Sequence, residues 1–387
     1  MSVLGEPIRQ ALQVASYVSG YTHGFYRYPA RFSPELARAF IDEYTHPGEV
    51  VLDPFMGGGT AIVEALAAGR RAIGLDLNPL AHFVTLVKTT PLSRADAAEL
   101  RRWACSTACD SADSRRAHQS DPRLRNLPSS VFAALAPYTA SAFELRPSRR
   151  RRFARCVLLH VGQWALESRQ QLPTANEIRA KIVDAADEML IGLDHFIEAA
   201  AEAGVEPPQI RRNRRLLTTT TALGYWLPGA RRTGVPRLVL TSPPYPGVHV
   251  LYHRWQVLGR RETPAPFWLA DLQDGHGESY YRFGSRTPTG MANYYATLRG
   301  AFTVLGRALG PESLVAQIVA FGDIDSQLPI YLAEMENAGF APVGTDAVMR
   351  HADAWRRVPH RRWYMRVSDP HGLHATAQEI LLLHRPA

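Results

Sequence analysis

Three places in this 387-residue chain combine residue types and spacings able to hold a small molecule or act on one. In Asp53-Pro54-Phe55-Met56-Gly57-Gly58-Gly59-Thr60, glycines follow an acid and an aromatic ring. Lacking Cβ atoms, they permit a tight turn and close backbone approach to a ligand. The lysine of a phosphate-binding loop is absent, so the turn alone suits a dinucleotide, S-adenosylmethionine or no ligand at all. Asp76 closes the next apolar run and precedes Leu77-Asn78-Pro79. An acid there can accept hydrogen bonds from both ribose hydroxyls of an adenosine, or simply cap the following helix. Turn and acid together favour a nucleoside, and NAD remains open.

The third place narrows the choice. Thr241-Ser242-Pro243-Pro244-Tyr245 follows the apolar run Leu238-Val239-Leu240 directly. Two prolines there fix a rigid, extended turn that presents polar groups at a sheet edge. Hydride transfer has no use for such a turn. Methylating a base amino group does, because the nitrogen lone pair is delocalised into the ring, and acceptors bonded to its hydrogens help free it for attack. The Ser242 hydroxyl and the Pro243 carbonyl can be those acceptors. Prolines leave few backbone donors to compete for the carbonyls, and Tyr245 offers a flat face to an extruded base. In isolation, Pro-Pro-Tyr reads as a turn with a core tyrosine; after a strand and downstream of the glycine turn, it reads as a site.

These residues need a sheet to hold them. Residues 49–52 read as a strand, 61–68 as an amphipathic helix ended by Gly69, and 71–75 as a second strand. Such a β-α-β unit implies a parallel sheet with ligands beyond the carboxyl ends of its strands. From 93 to 204 helical periodicity takes over, with Met189, Leu190, Leu193, Phe196 and Ile197 on one face. Strand signals return at 216–220 and 237–241, followed by a helix at 291–309, a buried strand at 313–321, a helix at 328–338 and a closing strand at 379–384. The expectation is an α/β catalytic domain formed by 1–92 and 205–387, interrupted by a helical insertion at 93–204. The irregular stretch 246–290, rich in Gly, Pro, Tyr, Trp and His, has the length and composition of a functional loop.

Composition bounds the partners. At 46% hydrophobic and 21% charged residues the chain has the balance of a soluble globular protein. No apolar run reaches the roughly 20 residues of a membrane span. The start lacks the features of a signal peptide, so the expected location is the cytoplasm and no membrane partner is expected. The three cysteines, Cys105, Cys109 and Cys156, have no metal-site spacing, and no metal is assigned. The net charge of +8 suits a polyanion. Nearly all of the positive charge is arginine, with Lys88 and Lys181 the only lysines. Arginine is concentrated at Arg149, Arg150, Arg151 and Arg152, at Arg211, Arg212, Arg214 and Arg215, and at Arg231-Arg232 and Arg361-Arg362. Guanidinium groups suit phosphate forks and guanine edges, although any single run also reads as a solvated face.

The motifs resemble those of the bacterial amino-group DNA methyltransferases, which act on cytosine N4 or adenine N6. The stretch 53–60 looks like that family's cofactor motif, and Ser242-Pro243-Pro244-Tyr245 like its catalytic tetrapeptide. His23-Gly24-Phe25-Tyr26-Arg27-Tyr28-Pro29-Ala30-Arg31-Phe32 is similar to the family segment that packs over the methionine end of the cofactor. The resemblance implies a Rossmann-like, seven-stranded, mostly parallel sheet with helices on both faces, and S-adenosyl-L-methionine as cofactor. It implies that Tyr28, Pro29, Ala30, Asp53, Pro54, Phe55, Gly57, Gly59, Thr60 and Asp76 surround that cofactor. Phe55 is then expected at the adenine and Asp76 at the ribose.

A serine opening the tetrapeptide tends to accompany cytosine N4 chemistry in that family, so cytosine N4 in a flipped-out base is the expected target. Transfer is direct, and none of the three cysteines lies in the Pro-Cys pair of carbon-5 chemistry. The insertion is expected to hold target recognition, with the runs 149–152 and 211–215 on phosphate and Tyr252, His253 and Trp255 bordering the base pocket. Double-stranded DNA is the implied partner, and a restriction endonuclease or defence-system subunits can accompany such an enzyme. Adenine N6, a catalytically silent DNA-binding subunit of the same fold, and an RNA or protein amide substrate are the alternatives.

Overall fold

The computed structural model describes residues 4–13, 19–28, 33–106, 121–167, 169, 171–224, 226–246, 254–258, 261–274, 287–344, 355–358 and 377–387. Helices α1 (Glu6–Gln13) and α2 (Pro34–Tyr44) precede β1 (Val50–Asp53). Then α3 (Thr60–Ala67), β2 (Arg71–Asp76) and α4 (Pro79–Lys88) complete the first β-α-β unit. Among the described residues α5 (Arg94–Cys105), α6 (Ser129–Glu144), α7 (Ser148–Leu166) and α8 (Ala175–Glu202) follow, before α9 (Pro207–Arg212) leads into β3 (Arg214–Thr218). Next come α10 (Leu227–Thr233), β4 (Pro236–Thr241), the hairpin of β5 (Trp255–Val257) with β6 (Arg261–Thr263), α11 (Ala265–Ala270) and α12 (Pro288–Gly306). The chain closes with β7 (Leu314–Val319), α13 (Ile324–Asn337), β8 (Phe340–Pro342), β9 (Trp355–Val358) and β10 (Ala377–Pro386).

Local chemistry sets these boundaries. Ser93 and Thr174 open α5 and α8 as capping boxes with Asp96 and Glu177, each pair satisfying two orphan backbone donors. Ser33 and Asn78 cap α2 and α4, each ahead of a proline at the first helical position. The strand cores are continuous apolar runs, as expected where both faces of a parallel sheet are covered.

The main sheet runs β3-β2-β1-β4-β7-β10-β8, with β9 paired to β10 off that path. Strands β3, β2, β1, β4 and β7 are mutually parallel, and β10 lies antiparallel to β7, β8 and β9. The architecture is therefore the Rossmann-like, mostly parallel seven-strand path expected, with an added eighth strand. Side chains alternate between its faces. Val51, Leu238, Leu240 and Ala316 join the core beneath α1–α8, while Val50, Leu52, Val239 and Val315 join the core beneath α12 and α13. Helices α5 to α8 share the first of these cores.

Several boundaries need correcting: the helices expected from 291 and 328 begin at Pro288 and Ile324, and the stretch 246–290, expected to be irregular, holds the β5–β6 hairpin and α11. The third strand, expected at 216–220, occupies Arg214–Thr218, because Arg215 pairs with Ile73 and Leu217 with Leu75. Two residues counted in a surface arginine run are thus part of a parallel ladder.

The order also defines a crevice. The chain leaves β1 on one side for β2 and, after β3, returns on the other side as β4. The carboxyl ends of β1 and β4 flank this switch point, where open α/β sheets bind ligands.

Candidate active site

The glycine turn begins at the end of β1. The Asp53 carboxylate is buried, and its Oδ1 accepts from the Phe55 N–H at 3.1 Å and the Thr241 hydroxyl at 2.7 Å. Burial pushes its pKa up to about 7, against the pull of these two donors. Asp76, at the end of β2, accepts from the Gly57 N–H at 2.9 Å through one oxygen and from the Asn78 N–H at 2.8 Å through the other. Burial raises it to about 6. The Thr221 hydroxyl holds the Pro54 carbonyl at 2.8 Å.

Further contacts fix the turn. Gly59 adopts φ +77°, and a Cβ there would stand 2.5 Å from Thr85 Oγ1, so both backbone and space demand glycine. The buried Lys88 donates to the Gly58 carbonyl at 2.7 Å. Tyr28 covers the outer side, with its Cβ 2.9 Å from where a Gly58 Cβ would lie, and its hydroxyl accepts from Asn78 at 3.4 Å. His23, from the same upstream segment, is anchored to Glu64 of α3 at 2.7 Å. Pro29 and Ala30 lie outside the described residues.

At the end of β4, Ser242 Oγ donates to the Ile318 carbonyl at 3.0 Å and lies 3.0 Å from Tyr245 Oη. Tyr245 Oη contacts Glu379 Oε1 at 2.6 Å, and Tyr294 donates to the Pro244 carbonyl at 2.8 Å. Among the described residues no hydrogen bond reaches the Pro243 carbonyl. Tyr245 is only 8% exposed, so its neighbours cover most of its ring.

Phe55, Gly57, Asp76, Leu77, Ser242 and Pro244 are partly exposed while most of their neighbours are buried, which marks the open carboxyl edge of the sheet. A nucleoside-bearing cofactor fits this edge. The Asp76 carboxylate accepts from the backbone N–H groups of Gly57 and Asn78, with that of Leu77 also close, and its four acceptor positions leave room for a ribose hydroxyl. The bare Gly57 backbone and the Phe55 ring stand beside it.

The arginine and aromatic assignments divide. Arg149 and Arg150 are bound to the buried Asp96 at 2.7 and 2.6 Å, so both serve the fold. Burial pushes the Asp96 pKa up, but donors from Arg149, Ser93 and Arg150 more than offset this and hold it well below the carboxylate range. The Arg151 guanidinium lies 5.2 Å over the Phe143 ring, and Arg152 is partly buried. Arg214 donates to Thr89, Thr90 and the Leu86 carbonyl at the end of α4, and burial lowers its pKa to about 10. Arg215 lies against Gly229, where its guanidinium leaves no room for a Cβ. Arg211 and Arg212 are exposed. Trp255 is 1% exposed and donates to Tyr26 Oη at 3.0 Å, so it is core and cannot stack a base. Tyr252 and His253 lie outside the described residues.

Lys88 and Thr241 are named in the sequence reading without these contacts, and Tyr294 and Glu379 escape it. Lys88 carries a signal, as one of two lysines in an arginine-rich chain. Thr241 adjoins the tetrapeptide. Tyr294 and Glu379 arrive from far along the chain and carry no local signal. Among the described residues no cluster of metal-ligating side chains occurs, and no helix is long and apolar enough to cross a membrane.

Residues 5–85 match the sequence profile of a family of N6 and N4 methyltransferases described as DNA methylase. The chain is 43% identical over 74 residues to the type II methyltransferase M.MvaI of Kocuria varians, covering 18% of this chain and 16% of that protein. It is 32% identical over 82 residues to the type II methyltransferase M.MjaII of Methanocaldococcus jannaschii, covering 21% of this chain and 15% of that one. The matches thus span about a sixth of these relatives' length. An rRNA methyltransferase from Streptomyces viridochromogenes superposes with a TM-score of 0.32 at 12% identity over 80% of each chain, a likeness too low to weigh. The resemblance to amino-group DNA methyltransferases read from the motifs is borne out over residues 5–85.

Proposed function

We propose that this chain transfers a methyl group from S-adenosylmethionine to an exocyclic amino group of a base flipped out of double-stranded DNA, with cytosine N4 the target. One observation carries the reading. The Ser242 proton has protein acceptors at Ile318 and Tyr245, so its oxygen faces the crevice as an acceptor. Beside it, among the described residues, no hydrogen bond reaches the Pro243 carbonyl, while Tyr294 takes the Pro244 carbonyl. Two acceptors at the end of β4 suit the two hydrogens of an amino group.

When bound, the cofactor supplies an electrophilic methyl on a sulfonium. Asp76 would hold its ribose, Phe55 its adenine, and Asp53, Gly57 and Gly59 its methionine part, under Tyr28. Ser242 and Pro243 orient the amino nitrogen, and Tyr245 flanks the base. Adenine N6 offers the same two hydrogens and is the second reading. The exposed Arg211 and Arg212 are assigned to phosphate, the helices of 93–204 to target recognition, and the working location to the cytoplasm.

The test is mass spectrometry of nucleosides from DNA incubated with the protein and methyl-labelled S-adenosylmethionine. Labelled N4-methylcytosine, lost in a Ser242→Ala/Tyr245→Ala double variant, supports the reading, and N6-methyladenine selects the second. Cofactor binding without any labelled base would sink both.

A further inference from the structure

Ser242 and Tyr245 are the near end of a longer chain. Ile318 on β7 accepts from Ser242 Oγ at 3.0 Å, Ser242 Oγ lies 3.0 Å from Tyr245 Oη, and Tyr245 Oη lies 2.6 Å from Glu379 Oε1 on β10. The three adjacent strands β4, β7 and β10 thus place four groups in a row. Two hydroxyls carry one proton each, but three contacts need three protons. With Glu379 ionised, two of the contacts are hydrogen bonds. With Glu379 protonated all three are, running from Glu379 through Tyr245 and Ser242 to the Ile318 carbonyl. The row therefore has two arrangements that differ by one proton lodged on Glu379, a side chain only 1% exposed.

Resting on the methyl-transfer reading above, we propose that this row carries away the proton released when the amino group is methylated, with Glu379 as its terminus. At the start Tyr245 donates to the Glu379 carboxylate, and the Ser242 proton, for which the Ile318 carbonyl and Tyr245 compete, turns from Ile318 to Tyr245. The amino nitrogen forms its bond to the methyl carbon as the carbon–sulfur bond breaks, and the sulfur keeps that electron pair. The nitrogen, now cationic, gives a proton to Ser242 Oγ. Ser242 passes its own proton to Tyr245, and Tyr245 passes its own to Glu379. The new Ser242 hydroxyl then turns to Ile318, which gives the reversed row a partner for every proton. Once product leaves, the partly exposed Ser242 meets water and the proton returns by the same route. Among the described residues, the titratable groups beside the row include Tyr294 and Tyr331, which adjoin Tyr245, and Asp53, reached through Thr241. Arg356 stands opposite Glu379 in the register of β9 with β10.

Glu379→Gln keeps the hydrogen bonds but cannot take a proton, and Glu379→Asp keeps the acid. Single-turnover methylation by the wild type is expected to rise with pH through the Glu379 titration. The Gln variant should be slowed about a hundredfold and be flat with pH, at unchanged cofactor affinity, and the Asp variant should keep the pH-dependent limb. Infrared difference spectra of wild type against Glu379→Gln follow the same titration without substrate or cofactor, and Tyr245→Phe should shift its midpoint. A Gln variant with the wild-type rate and profile, or a midpoint indifferent to Tyr245→Phe, overturns the relay. If the midpoint moves but the wild type methylates no base, the wiring stands and the methyl-transfer reading falls.

Discussion

The Thr241 hydroxyl donates to Asp53 Oδ1 across 2.7 Å, tying the last residue of β4 to the last residue of β1. The glycine turn and the tetrapeptide both start from this tie, so neither can shift without the other. Thr241→Val preserves shape but removes the donor and leaves a buried carboxylate short of a partner. The expected cost is about 1–3 kcal/mol above neutral pH. It should be smaller at pH 5, where the Asp53 carboxyl, with its pKa near 7, is protonated. Urea unfolding at the two pH values measures the difference.

Asp53 and Asp76 hold protons more tightly when folded, with pKa values near 7 and 6 against an ordinary 3.8. Their contribution to stability is therefore greatest in acid and declines as pH rises from about 4 to 7. Cofactor affinity should run the other way, because ribose hydroxyls donate best to an ionised Asp76. Calorimetric titration should show S-adenosylmethionine binding more tightly as pH rises through about 6. In Asp76→Ala binding should fall about 10- to 100-fold and lose this dependence.

Lys88 grips the glycine turn from within by donating to the Gly58 carbonyl. Lys88→Met fills the same volume without the donor. Cofactor affinity should drop about tenfold, the worth of one charge-assisted hydrogen bond, while the thermal midpoint moves little. An unchanged dissociation constant would remove Lys88 from the cofactor site.

Arg149 and Arg150 converge on Asp96, whose side chain is fully buried. Replacing both with alanine should cost about 3 kcal/mol of stability by stranding that carboxylate. Because the Asp96 pKa is lowered in the folded state, its contribution is present at neutral pH and lost as the medium becomes strongly acidic. Arg211→Ala/Arg212→Ala should instead leave stability alone and flatten the salt dependence of DNA affinity by about two charges. Fluorescence anisotropy across a salt series separates the two pairs.

Much of the site is legible in the amino-acid sequence. The glycine turn, Asp76 and the Ser-Pro-Pro-Tyr stretch are contiguous, and strand-to-loop punctuation assigns each to the carboxyl end of a strand, where all three are found. The arginine runs mislead because clustering along the chain does not report which way side chains point. Arg214 and Arg215 belong to a strand whose register is set by β2, and Arg149 and Arg150 answer a carboxylate more than fifty residues upstream. Trp255 sits in an aromatic loop by sequence but in the core by packing against Tyr26 and Gly162. Glu379 has no local signature, since only the β4-β7-β10 order brings it to Tyr245.

Strand β1 lies between β2, which follows it closely, and β4, which arrives only after helices α5 to α8 and β3. The bond from Thr241 to Asp53 closes a separation of 188 residues. On the ribosome, the glycine turn is therefore made early but stays unsealed until the entire helical stretch has emerged. Contacts so distant in sequence form late, because loop closure must be met before they are gained. The order of synthesis thus keeps the site incomplete until the region assigned to target recognition already exists.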